Sequence, residues 1–141
     1  MLGRFPFEIL PKYPHLSENE SRIWTRFIEQ NPNFAESVDY DICVGGETEL
    51  PEELDEEWER NARYLGAYKI DAVAYRGGKH FVIEIRTRAG PSALGNIITY
   101  MALYQVKVGG EADAEPVIVT DAERPNIREL CAEHDIDFYV V

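Results

Sequence analysis

Hydrophobic residues recur along the chain with two different periods, which predict the elements of the fold. Ser17-Glu18-Asn19-Glu20 has the form of a capping box, and the apolar residues after it recur with helical spacing. They predict a helix that buries Ile23, Trp24, Phe27 and Ile28 and ends before Pro32. From Ser37 to Val44 apolar and polar residues alternate, which predicts a strand that Gly45-Gly46 ends.

The clearest prediction is a β-hairpin in the middle of the chain. Tyr68 to Tyr75 and His80 to Thr87 are the predicted strands, and Arg76-Gly77-Gly78-Lys79 is the turn between them. After the hairpin, Gly90-Pro91 interrupts the pattern, and proline suits the first turn of a helix. That helix is predicted to run to about Val106, with one face made of Leu94, Ile97, Ile98, Met101 and Gln105.

Three shorter elements complete the prediction. They are a strand from Pro116 to Thr120, a helix from Pro125 to His134 and a strand from Ile136 to Val141. The predicted fold class is therefore α/β (α+β), a single domain with a mixed sheet whose central hairpin is flanked by helices. An acidic helix is also predicted from Pro51 to about Arg63.

The first 16 residues are expected to form an extended arm, separate from the single domain of residues 17–141. Prolines at positions 6, 11 and 14 exclude a helix there. Apolar residues in such an arm must pack on something, namely Phe5, Phe7, Ile9 and Leu10. Because free termini are rarely ordered, we expect the arm to contact another protein subunit.

Composition and charge narrow the function classes. A chain of 141 residues that is 45% hydrophobic is expected to fold as one globular domain, with no membrane helix and no signal peptide. Cys43 and Cys131 are isolated in the sequence, which fits a reducing compartment. The expected location is the cytoplasm, or a viral particle if the chain is an assembly subunit. The net charge of −12 argues against general binding of nucleic acids. Residues 62–109, however, hold seven basic and two acidic residues, so this stretch is +5 and the rest is −17.

Asp71 and Glu84 are the two acidic residues of this basic stretch. Because they stand on the two strands of the hairpin, their carboxylates can converge on one side of it. Two carboxylates brought together bind a proton or a hard cation such as Mg²⁺. The alternative is that both are ordinary solvent-facing strand residues, although acidic residues are depleted in strands.

Ile70-Asp71, a gap and then Val82-Ile83-Glu84-Ile85-Arg86, followed by a helix, resembles the Asp-x(n)-Glu-x-Lys signature of the PD-(D/E)XK nucleases. The predicted order of elements resembles the restriction-endonuclease-like core of that family, from Glu20 to Thr120. Asn96 to Tyr100 is also similar, loosely, to a Gln-x-x-x-Tyr pair of some relatives.

This resemblance implies hydrolysis of phosphodiester bonds in DNA with Mg²⁺, or Mn²⁺, as cofactor. It implies that Asp71, Glu84 and the main-chain carbonyl of Ile85 hold the metal, with Glu20 on the first helix as an accessory ligand. The residues expected to bind substrate are Asn96, Tyr100 and Arg88.

The sequence departs from the family pattern at the lysine, where Arg86 stands instead. Arginine keeps the positive charge and can grip a phosphate with two hydrogen bonds, but it cannot act as a base. Lys69 lies two residues before Asp71, on the same strand face and about 7 Å along it, and is the better candidate to replace the missing group. Lys107, near the far end of the next helix, is the other.

Two functions from different classes therefore stay open. The first is a Mg²⁺-dependent DNA nuclease with a degenerate motif, favoured by the resemblance and the basic stretch. The second is a catalytically silent relative that serves as a structural or assembly subunit, for example of a viral particle. The missing lysine, the overall charge and the apolar arm favour the second. Other α/β domains, including toxin or antitoxin components, fit less well.

Overall fold

The computed structural model describes residues 2–46, 56–57 and 67–141. The elements in these ranges, in chain order, are β1 (Phe5–Pro6), α1 (Glu18–Gln30), β2 (Ser37–Val44), β3 (Tyr68–Arg76), β4 (Lys79–Arg86), α2 (Pro91–Lys107), β5 (Asp113–Thr120), α3 (Ile127–Glu133) and β6 (Asp137–Val140). The acidic helix predicted from Pro51 to Arg63 lies outside the described residues, apart from positions 56 and 57. No helix in the described ranges is long and apolar enough to cross a membrane.

The strands form one mixed sheet in the order β1-β2-β3-β4-β5-β6. Neighbours from β1 to β4 pair antiparallel, and β4, β5 and β6 pair parallel. The parallel pairs follow from the helices α2 and α3, each of which carries the chain back to the starting end of the sheet. The predicted α+β class, with a mixed sheet around a central hairpin, is confirmed.

Helix α1 begins as the sequence predicts. The Ser17 hydroxyl accepts a hydrogen bond from the Glu20 N–H at 3.1 Å, and Glu20 Oε1 accepts one from the Ser17 N–H at 2.8 Å. This reciprocal pair is a capping box, which satisfies two amides that would otherwise lack acceptors. The helix buries the four predicted residues, Ile23, Trp24, Phe27 and Ile28.

Each face of the sheet carries its own hydrophobic core. The α1 side packs against residues such as Ala72, Ile83 and Ile85, and the side of α2 and α3 packs against Val73 and Val82. The predicted apolar face of α2 is wrong at one position, since Ile98 is 45% exposed. The buried residues of this helix are Ala93, Ile97 and Tyr104. Their spacing of four and seven rotates the buried face away from Ile98.

The central strands β3 and β4 are paired along only part of their length. Their register runs from Arg76 opposite Lys79 at the turn to Ala72 opposite Ile83, where it stops. Beyond that level β3 pairs with β2 as far as Tyr68, and β4 pairs with β5 as far as Arg86. We call the opening between residues 68–71 of β3 and 84–86 of β4 the fork.

The N-terminal arm packs on its own domain. Its strand β1 pairs Phe5 with Val38, at the edge of the sheet. Phe7 and Tyr13 are buried in the α1-side core, and Phe5 and Leu10 pack against it. Three of the four apolar residues predicted to contact another subunit, Phe5, Phe7 and Leu10, thus pack on this domain, and the short β1 pairing holds the arm against the sheet. In the described arm, the large hydrophobic residues that stay exposed are Leu2 and Ile9.

We expect Phe7→Ala to destabilise the protein by about 3–5 kcal/mol, because it empties a buried aromatic site. The Phe7 ring contacts Trp24, Phe27 and Phe34, with centroids 5.7, 6.2 and 6.0 Å away. Urea unfolding measures the loss, and Ile9→Ala, at a half-exposed position of the same arm, is the matched control. A Phe7→Ala protein of unchanged stability but reduced mass in light scattering would instead place the arm on a partner.

Candidate active site

The fork brings the two carboxylates of the hairpin together. Since Ala72 pairs with Ile83, the next residues outward, Asp71 and Glu84, face each other across the opening. Asp71 Oδ2 accepts a hydrogen bond from the Ile85 main-chain N–H at 2.8 Å. The Asp71 carboxylate thus accepts a main-chain hydrogen bond of β4 at the level where β3 and β4 stop pairing.

Glu84 is the buried member of the pair. It is 5% exposed, and its Oε2 has no hydrogen-bond partner among the described residues. Its Oε1 lies 3.9 Å from Arg86 Nε. The burial excludes the interpretation of Glu84 as an ordinary solvent-facing residue. Because an unpartnered buried carboxylate oxygen costs free energy, this atom favours a proton or a cation at the fork.

Burial raises the pKa of both acids. Desolvation, and then the charge of Glu84, raise the pKa of Asp71 to about 8, although the Ile85 N–H opposes this shift. Burial also raises the pKa of Glu84, while the side chains of Asp71, Arg86 and Asn96 oppose the increase. Near neutral pH the pair therefore retains a proton when no cation is bound.

Two residues of α2 lie beside this pair. Asn96 is close enough to Glu84 to lower the pKa of its carboxyl group. Burial raises the pKa of Tyr100 to about 12, and the charges of Glu84 and Asp71 add to the shift. The Tyr100 hydroxyl consequently stays protonated near neutral pH and can donate a hydrogen bond. The structure thus brings both predicted α2 residues to the fork.

Glu20 lies near the fork in the first turn of α1, on the opposite side of the sheet from α2. Its negative charge contributes to the raised pKa of Asp71 and of Glu84, so the N-terminus of α1 lies near both acids. Its Oε1 also accepts the Ser17 N–H of the capping box. Across residues 2–46, 56–57 and 67–141, no three His, Cys, Asp or Glu side chains form a cluster that could hold a metal ion by themselves.

The basic residues named from the sequence take different places. Arg86 Nη1 donates to Ser92 Oγ at 3.1 Å, so its guanidinium lies between Glu84 and the first turn of α2. The Lys69 ammonium donates to the Ala67 carbonyl at 3.5 Å, near the outer end of β3. The Lys107 ammonium donates to the Cys43 carbonyl at 2.9 Å, at the C-terminal end of α2. Arg86 thus pairs with Glu84 across 3.9 Å.

Arg88 and two residues that the sequence did not indicate line a small pocket next to Arg86. Arg88 is exposed, and its main-chain N–H donates to Asp121 Oδ1 at 2.9 Å. Ser92 and Arg124 line the same pocket. Ser92 precedes Asn96 by four residues, so helical periodicity could have predicted its place. Arg124 follows β5, and no spacing in the sequence connects it with the hairpin.

The donor atoms at the fork fit a hard divalent cation. They are carboxylate oxygens, which are the ligands that Mg²⁺ prefers, and the buried Glu84 Oε2 lacks a partner among the described residues. In proteins Mg²⁺ commonly takes one or two carboxylates and completes its shell with water and substrate phosphate. A pair of carboxylates without a third protein acid is therefore sufficient for this ion.

The arrangement of the sheet and helices around the fork recurs in solved structures. The fold is shared with EndoMS. A structure of the EndoMS–dsDNA complex superposes with a TM-score of 0.51 at 14% identity, over 94% of this chain and 48% of that chain. A crystal structure of a protein of unknown function superposes with a TM-score of 0.55 at 14% identity, over 85% of this chain and 56% of that one.

A repair endonuclease from Pyrococcus abyssi is also similar, with a TM-score of 0.48 at 13% identity over 94% of this chain and 49% of its own. The chain thus spans about half the length of these neighbours. No protein-family model matches the sequence, and no curated protein matches it. The shared property is the fold.

Proposed function

We propose that the chain is a Mg²⁺-dependent nuclease domain that hydrolyses phosphodiester bonds in DNA. The observation that carries this proposal is the Asp71–Glu84 pair at the fork, where Glu84 is buried and its Oε2 has no hydrogen-bond partner among the described residues. The EndoMS neighbour, which was solved with double-stranded DNA, supports DNA as the substrate class.

Asp71, Glu84 and the main-chain carbonyl of Ile85 would hold Mg²⁺, or Mn²⁺, with Glu20 as an accessory group near the N-terminus of α1. When bound, the cation lowers the pKa of a water molecule and stabilises charge on the phosphoryl oxygens. The carboxylates must lose their shared proton to bind it. The hydrogen bond from the Ile85 N–H holds Asp71 in place for this role.

Arg86 supplies a fixed positive charge beside Glu84. Its guanidinium can donate two hydrogen bonds to the phosphate under attack and stabilise the negative charge that develops there. It does not remove a proton from water, because a guanidinium group stays protonated in proteins. Lys69, on the strand that carries Asp71, is the candidate to orient the attacking water. Asn96 and Tyr100 donate hydrogen bonds that position the DNA strand.

Calorimetric titration with Mg²⁺ and Mn²⁺ tests the site without relying on cleavage. We expect one cation to bind with an affinity that rises about tenfold per pH unit below pH 8 and levels off above it, because the pKa of Asp71 is about 8 and the cation displaces one proton. Titrations in buffers with different ionisation enthalpies count the released proton.

Glu84→Gln is the control for this titration and should bind neither cation. An affinity that does not change with pH, or an equal affinity in the control, would place the cation elsewhere. A plasmid-nicking assay with the same protein then completes the test. Cation binding and DNA binding without nicking would identify the chain as a catalytically silent member of the fold.

A further inference from the structure

A pocket rich in arginine adjoins the fork at the start of α2. Its volume is about 280 Å³, and it is lined by Arg86, Thr87, Arg88, Gly90, Ser92 and Arg124. Arg86 belongs to both places, because its Nε lies 3.9 Å from Glu84 Oε1 while its Nη1 donates to Ser92 Oγ. Arg86 therefore lines the pocket and also contacts the carboxylate pair.

Two of the three arginines that line the pocket form no ion pair with another described residue. Within the part of the chain that the structure describes, the side chains of Arg88 and Arg124 have no acidic partner. Of the acids in the loop that carries Arg124, Asp121 accepts the main-chain N–H of Arg88 at 2.9 Å, and Glu123 pairs with Arg128 at 2.8 Å. Two unpaired guanidinium groups are notable in a chain of net charge −12.

The main chain is shaped to place these arginines. Arg88 has a φ of 46°, a left-handed conformation that is uncommon for residues other than glycine, and its hydrogen bond to Asp121 holds it there. Gly90 leaves room for Arg124, since a Cβ atom at position 90 would lie 2.7 Å from Arg124 Cδ. The left-handed residue and the glycine together let side chains from two separate loops converge on one pocket.

We propose that this pocket binds a backbone phosphate of the DNA strand, next to the phosphate that lies at Asp71 and Glu84. The inference rests on the proposed function and extends the same site. A phosphate offers several charged oxygens, which guanidinium groups bind with paired, charge-assisted hydrogen bonds. Contacts of this kind fix the position of a strand without reading its sequence. The pocket would therefore set which phosphodiester bond reaches the carboxylates.

Duplex DNA binding measured by fluorescence anisotropy over a series of salt concentrations, with chelator present to prevent cleavage, tests the pocket. We expect the double variant Arg88→Ala/Arg124→Ala to bind roughly tenfold more weakly at about 0.1 M salt, and its salt slope to fall by about 1. The matched control is Arg76→Ala/Lys79→Ala, which removes two positive charges at the hairpin turn, the opposite end of β4. The control should keep the slope of the unmodified protein.

Inorganic phosphate provides a second arm that does not involve DNA. We expect it to shift the amide resonances of Arg88 and Ser92 saturably in the unmodified protein, and not in Arg88→Ala/Arg124→Ala. Equal DNA affinity and salt slope in the two double variants would overturn the inference and leave the proposed nuclease function standing. Phosphate binding in the pocket by a protein that binds no duplex would overturn the assignment to DNA and, with it, the proposed function.

Discussion

Glu84→Gln should reduce DNA cleavage by about 10³-fold or more while leaving the protein folded. The substitution keeps the shape of the side chain but removes a negatively charged oxygen donor, and loss of a metal ligand costs several kcal/mol of transition-state stabilisation. Glu84 is 5% exposed, so a change to alanine would also leave a cavity, which glutamine avoids. Plasmid nicking with Mg²⁺ measures the effect.

The melting temperature of Glu84→Gln is the check on its fold and should not decrease, because the change removes a charge from a buried position. The matched control is Glu115→Gln, which alters a strand glutamate that pairs with Lys79 at 2.8 Å, near the hairpin turn. It should cleave normally. In the opposite direction, Arg86→Lys should raise cleavage, because it restores a group that can orient and deprotonate water. Normal cleavage by Glu84→Gln would mean that the active site lies elsewhere.

Asp71→Asn should stabilise the metal-free protein at alkaline pH, by roughly 5–10 °C in melting temperature at pH 9. The asparagine side chain resembles the protonated acid: its oxygen can still accept the Ile85 N–H, and its amide can donate to Glu84. The unmodified protein must instead hold two negative charges in the fork at this pH. Thermal unfolding in the presence of a chelator measures the difference.

The pH dependence of folding stability determines whether Asp71→Asn stabilises or destabilises the protein. The pKa of Asp71 is about 8 in the folded protein against 3.8 as its reference value, so the folded state binds a proton that the unfolded chain has already lost. That contribution to stability is complete below about pH 4 and disappears as the pH rises through 8. The gap between Asp71→Asn and the unmodified protein should therefore be small at pH 4, grow up to pH 8 and then stay constant. A gap independent of pH would show that Asp71 is not the group that titrates.

The sequence predicts the elements of this fold well because their signals are local. The capping box of Ser17 and Glu20, the alternation of Ser37–Val44 and the glycines at 77 and 78 each act within a few residues of the chain. The pairing of Asp71 with Glu84 also follows from local information, since a hairpin brings successive strands into a defined register. In the structure the capping box forms, β2 spans Ser37–Val44, and the hairpin strands β3 and β4 end within one residue of their predicted bounds.

Other features depend on contacts between distant parts of the chain. Arg124 reaches the pocket because the loop after β5 lies against Gly90, which is 34 positions earlier, and no periodic pattern encodes such a contact. The burial of Glu84 depends on the cover that α2 and the neighbouring strands provide. Similarly, the sequence of the apolar arm does not distinguish packing on its own domain from packing on a partner. Tertiary packing decides each of these cases.

The fork divides the sheet into two ribbons, one made of β1, β2 and β3 and the other of β4, β5 and β6, joined along the seam from the hairpin turn to Ala72 and Ile83. Each ribbon carries one of the two carboxylates. The distance between them is therefore set by the angle at which the ribbons meet rather than by either side chain alone. A change in the packing of apolar seam residues such as Val73 and Val82 would therefore change the angle between the ribbons, and with it the distance between the two carboxylates.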